Sequence, residues 1–169
     1  MERTEQQLSI INDAISQIEN GMYTCSRTEY VSYKIPPEEA QQFFLSNRCH
    51  VCALGSLLVS RIRLYNEVGT DNIGLQNDEC RSNVFKALPF SAKELCQTEA
   101  LFMNDATFLL GGSINELNHI SAAEGVKKFY GYNIYVNRRD CAIAALKCLR
   151  DGVFTIERFT HHYEACGED

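Results

Sequence analysis

The sequence predicts a mainly α-helical (α+β) fold, a single compact helical domain with a few short strands. Apolar residues recur at spacings of three and four through Leu8, Ile11, Ile15 and Ile18, and again through Ala53, Leu54, Leu57, Leu58, Ile62 and Tyr65. That is the period of a helix burying one face. Ser or Thr followed three residues later by Glu or Gln, the capping-box signature, occurs at Thr4–Gln7, Ser91–Glu94, Ser113–Glu116 and Ser121–Glu124. A chain of 169 residues, 45% apolar and 22% charged, suits one domain able to bury a core.

Each element has its own signal. Thr4 and Gln7 open a first helix over 5–20, and Gly21 stops it. Tyr23 to Ile35 is rich in Tyr, Thr, Val and Ser and favours one or two short strands. Pro36-Pro37-Glu38-Glu39 opens a short helix through Phe43, Phe44 and Leu45, with proline early and acids in the first turn. Cys49 to Tyr65 reads as the most apolar helix. Gly55 within it costs about 1 kcal/mol relative to Ala, which implies a close neighbour. A polar loop spans 66–77, and a helix at 78–88 ends at Pro89.

Helices are then expected from 92, 114 and 122, separated by Asn104-Asp105 and Gly111-Gly112. Phe129 to Val136 reads as a strand, 139–151 as a strong helix stopped by Gly152, and Val153 to Ile156 as a last strand. The domain is expected to cover 1–160, leaving 161–169 as a polar C-terminal tail. Cys52-Ala-Leu-Gly-Ser-Leu echoes Cys141-Ala-Ile-Ala-Ala-Leu, but nothing around the two repeats over the tens of residues a duplication needs.

Composition bounds the function. Disordered and low-complexity classes are excluded, and no apolar run approaches the roughly 18 residues of a membrane span. The N-terminal stretch carries acids and no apolar core, so no secretory signal is expected and the cytoplasm is the expected location. Eight scattered cysteines then read as reduced thiols, most of them small apolar residues of the core. Helices this apolar make a homodimer reasonable.

The net charge of −6 is uneven. Between 127 and 150, Lys127, Lys128, Arg138, Arg139, Lys147 and Arg150 face only Asp140. Lys127, Lys128, Tyr130, Tyr132, Arg138 and Arg139 are therefore the candidate ligand- or partner-binding residues: aromatic faces can stack on bases while Lys and Arg meet phosphates. The alternation of Tyr130, Tyr132, Ile134 and Val136 equally suits a core strand with basic ends. Overall acidity argues against duplex DNA, where neutralising phosphates dominates affinity.

Cys49-His50-Val51-Cys52 is the sharpest local pattern. Two thiolates three apart can chelate zinc, and the other ligands would come from His162 and Cys166. The simpler expectation is a packed Cys52 and a half-exposed Cys49. A thiol enzyme would need His50 or His119 as base, with Asn104 or Asp105 to orient it. Adjacent acids such as Glu38-Glu39 diverge on a helix and do not make a general acid–base pair. Gly111-Gly112-Ser113 reads as a turn, lacking the Lys-Ser/Thr of a phosphate loop.

The order of landmarks resembles a group of uncharacterised small proteins of phages and bacteria. The residues that carry it are the Leu8–Ile18 helix, Cys52-Ala53-Leu54-Gly55-Ser56-Leu57, Phe102-Met103-Asn104-Asp105, and Ala142–Leu149 followed by Gly152-Val153-Phe154. The resemblance implies a phage accessory protein and assigns no catalytic residue. The leading expectation is a non-enzymatic protein that binds and inhibits or modulates a host defence component. The alternative is a binder of a small phosphorylated, nucleotide-type ligand, and behind it stands a zinc- or thiol-dependent enzyme.

Overall fold

A computed structural model describes residues 2–25, 37–66, 85–103 and 137–166. Helix α1 spans Glu5–Glu19, strand β1 Tyr23–Cys25, helix α2 Pro37–Ser46, strand β2 Cys49–Val51, helix α3 Ala53–Tyr65, helix α4 Ala92–Met103, helix α5 Arg138–Asp151 and helix α6 Ile156–Ala165. The fold is mainly α in one compact domain, with β1 and β2 forming a parallel pair.

The helix ends follow local chemistry. Thr4 accepts the Gln7 N–H while the Gln7 side chain accepts the Thr4 N–H, closing the expected capping box of α1. Ser91 and Glu94 make the same reciprocal bonds at α4. Helix α5 stops at Gly152, whose φ of 71° lies in the left-handed region that glycine enters without strain.

Helix α5 is the centre of the packing. Cys141, Ala142, Ala144, Ala145, Leu146, Cys148 and Leu149 are fully buried. Helices α1, α4 and α6 pack around α5, α1 also packs on α3, and α2 covers α3. The small side chains of α5 let several helices approach one axis. Residues 53–60 of α3 are likewise buried, with Ser56 and Ser60 among them.

Three expectations change. Helix α3 starts at Ala53, because the Cys49 N–H donates to the Met22 carbonyl at 2.9 Å and Cys49–Val51 pairs with Tyr23–Cys25. Gly55 therefore falls in the first turn, where the Cys52 sulfur accepts its N–H at 3.3 Å. Val153–Ile156 is not a strand: the Thr155 hydroxyl accepts the Arg158 N–H and starts α6 at Ile156. Residues 161–165 are part of that helix rather than a tail, held by the fully buried Phe159 and by Tyr163 packed on the core.

Residues 85–87 are helical, while the rest of the expected 78–88 helix lies outside the described residues. So do the helices expected from 114 and 122, the strand at 129–136, and residues 26–35. No helix among the described residues is long and apolar enough to cross a membrane.

Candidate functional site

The carboxyl ends of β1 and β2 lie where α3 and α5 begin. Register pairs Cys25 with Val51, and Cys52 follows directly as the N-cap of α3. The Asn137 side chain caps α5 by accepting the Asp140 N–H at 3.2 Å. Arg138 and Arg139 then occupy the first two positions of α5, against the sign its macrodipole prefers.

Tertiary contacts explain that placement. Arg138 donates to the Phe102 carbonyl at 3.3 Å, in the last turn of α4, and its guanidinium stands 5.5 Å from the Phe102 ring centre. Arg139 donates to the Glu19 carbonyl at 3.3 Å, at the last residue of α1, and to Asp140 at 3.0 Å. Each arginine thus serves an unsatisfied carbonyl at the negative end of a neighbouring helix. The Arg139 side chain still keeps 47% of its surface exposed.

Cys25, at the end of β1, feels the charge of both arginines. Burial pushes its thiol up to about 12, and Arg138 and Arg139 only partly oppose that rise. Burial does the same to Cys52, also to about 12; the Gly55 N–H opposes it, while Glu99 and Cys25 add to it. Spacing gave no hint of this grouping, because positions 25, 52, 99 and 138 come from four separate elements. Among the remaining binding candidates, Lys127, Lys128, Tyr130 and Tyr132 lie outside the described residues.

The Cys49–Cys52 pattern resolves differently from its expectation. Cys49 is 2% exposed rather than half-exposed, because strand alternation turns Cys49 and Val51 inward and His50 outward. Burial pushes the Cys49 thiol to about 12. The same alternation denies Cys49 the adjacent His50 as a base. His162 lies on α6, where its Nε2 is 2.7 Å from Asp151 Oδ2, and the Cys166 thiol faces the His162 carbonyl at 3.3 Å.

Cys49, Cys52, His162 and Cys166 therefore do not gather. Among the described residues, no group of three or more His, Cys, Asp or Glu side chains is placed to hold a metal ion. All seven described cysteines are free thiols. A protonated, buried thiol is a poor nucleophile and a poor metal ligand. Arg139, in the first turn of α5, is the described candidate that keeps an exposed face. No protein-family model, curated protein or solved structure matches the chain.

Proposed function

We propose that this chain is a non-enzymatic binding protein that engages an acidic segment of a partner protein through Arg139 and the basic stretch that precedes it. The partner class the resemblance implies is a host defence component that the protein inhibits or modulates. The observation that carries the reading is the half-exposed Arg139 guanidinium, which extends in sequence the cations Lys127 and Lys128. The buried, protonated state of Cys25, Cys49 and Cys52 supports binding over thiol or metal chemistry.

Arg138 and Arg139 divide the work. Arg138 ties α5 to α4, so changing it disturbs the fold. Arg139 is the residue to change. Pull-down from a bacterial lysate with wild type and Arg139→Glu is expected to lose the partner in the variant, with thermal stability lowered by no more than about 1 kcal/mol. Retention of the partner by Arg139→Glu overturns this contact. The alternative, a phosphorylated small molecule, rests on the α3 and α5 helix starts meeting at the strand ends, an arrangement that favours anions. A thermal shift with nucleotides that Arg139→Glu abolishes would favour that reading instead.

A further inference from the structure

Helix α1 ends on Asn20, and Gly21 follows it in the one Asn-Gly step of the sequence. Both residues are exposed. The Asn20 side chain folds back over the turn: its Oδ1 accepts the Met22 N–H at 3.2 Å, and its Nδ2 donates to Gln17 Oε1 at 3.4 Å. The amide nitrogen of Gly21 therefore belongs to the ring that the Asn20–Met22 bond closes. Gly21 has a φ of 82°, and beyond its chain neighbours no heavy atom comes within 4 Å of the place where a side chain would start.

We propose that Asn20–Gly21 is a self-modification site, where the side-chain amide becomes a carboxylate whose charge is balanced by Arg139. The Gly21 amide nitrogen gives its proton to solvent base and attacks Asn20 Cγ. The new N–Cγ bond forms, the Cγ–Nδ2 bond breaks, and the amide nitrogen takes a proton from water and leaves as ammonia. Water then opens the five-membered imide at either carbonyl, which gives aspartate or its β-linked isomer. Water is the one co-reactant, and no electron is transferred.

The turn both helps and hinders this step. Negative charge grows on Oδ1 as the nitrogen attacks, and the Met22 N–H already points at that atom. Met22 shares its N–H with the Gln17 carbonyl at 2.9 Å, so the last turn of α1 fixes the donor. Against the step, the Gly21 N–H donates to the Ile18 carbonyl at 3.2 Å, and that bond must open first. It is an exposed bond at a helix end, where opening costs least. A carboxylate at a helix C-terminus opposes the macrodipole, and the last turn of α1 has no basic residue of its own. Arg139 supplies the cation: it donates at 3.3 Å to the carbonyl of Glu19, the residue before Asn20. Of the acids nearby, Asp13 is paired with Arg63, and Asp140 with Arg139 itself. The inference rests on this turn and not on what Arg139 binds.

Full-length wild type, folded or unfolded in urea, is incubated in warm, mildly alkaline buffer, and each asparagine is followed by peptide mass spectrometry. Conversion of Asn20 in the folded protein is expected within about tenfold of the unfolded rate, while Asn12, Asn47, Asn66 and Asn137 keep their amides. A slower folded rate means that the fold protects the step, and it overturns the site. Asn20→Gln, whose longer side chain disfavours ring closure, is expected to stay unchanged; the same mass gain in that variant overturns the assignment to Asn20. The charge is read separately from Asn20→Asp. That change is expected to lower the melting temperature more in an Arg139→Gln background than in wild type, and equal shifts overturn Arg139 as the balancing cation.

Discussion

The Arg3 guanidinium donates twice to the main-chain carbonyl of Leu149, from Nε at 3.0 Å and from Nη2 at 2.6 Å. Leu149 lies in the last turn of α5, so Arg3, just before α1, closes the negative end of the central helix. Arg3 also pairs with Glu94 at the start of α4 and stands 5.6 Å from the Phe90 ring centre. Gln7 adds a bond to the Pro89 carbonyl at 2.7 Å.

The same device recurs around the molecule. Arg63 donates to the Phe44 carbonyl in the last turn of α2 at 2.9 Å while pairing with Asp13 of α1 at 3.3 Å. Arg138 serves α4 and Arg139 serves α1. Four helices thus end on an arginine supplied by another element. Helix termini leave carbonyls without intrahelical partners, and a guanidinium offers five donors in a fixed fork. This satisfies the helix ends and locks the relative positions of the helices in one interaction.

Arg3→Met keeps an apolar stem and removes the fork. The side chain of Arg3 is 5% exposed and that of Glu94 16%, so the pair is largely shielded. The variant is expected to lose about 2–3 kcal/mol in urea denaturation. Burial raises the Glu94 carboxyl, but Arg3 and Ser91 lower it by more, leaving it below its ordinary 4.5. A depressed carboxyl adds stability that is present above 4.5 and is lost as pH falls through its folded value. Arg3→Met should therefore show a shallower acid loss than wild type; an equal slope would remove Arg3 as its cause.

Tyr23 and Ser60 share a hydrogen bond of 2.9 Å between β1 and α3, and both are buried. Burial raises the Tyr23 hydroxyl well above its usual range, so it stays neutral. Tyr23→Phe and Ser60→Ala should each cost about 1–2 kcal/mol, because each strands one hydroxyl in the core. The double variant should cost less than the sum by about 1 kcal/mol. Strict additivity in a denaturation cycle would show that the two hydroxyls do not stabilise the fold through each other.

Cys49, Cys52 and Cys148 are pushed to about 12 by burial, which leaves about one thiolate in 10⁵ at neutral pH. A thiol-specific reagent should modify them only as the protein unfolds, with the fully buried Cys141 behaving alike. Peptide mass spectrometry after native and denatured labelling checks this. Rapid native labelling of Cys49 would return it to the half-exposed state expected from sequence.

Local sequence determined where most of the described helices begin and end. Thr4–Gln7, Ser91–Glu94 and Gly152 act within one turn, so their signals survive without knowledge of the rest of the chain. The apolar stripes of α1 and α3 were legible for the same reason. Short strands and the α6 start were less so. Pairing of β2 with β1 overrides a helical pattern at Cys49–Val51, and Thr155 shows no capping-box signature because Arg158, rather than Glu or Gln, stands three residues on.

The candidate site was legible only as a run of charge at 127–150. Only the tertiary structure decided that Arg138 is a tie to α4, that Arg139 keeps an exposed face, and that Cys25 and Cys52 lie at the same end of the sheet. The physical reason is range. Caps and periodicity are interactions between residues three or four apart, which a sequence displays directly. The arginine–carbonyl bonds join residues as far as 146 positions apart, and their donors look in sequence like any other surface charge.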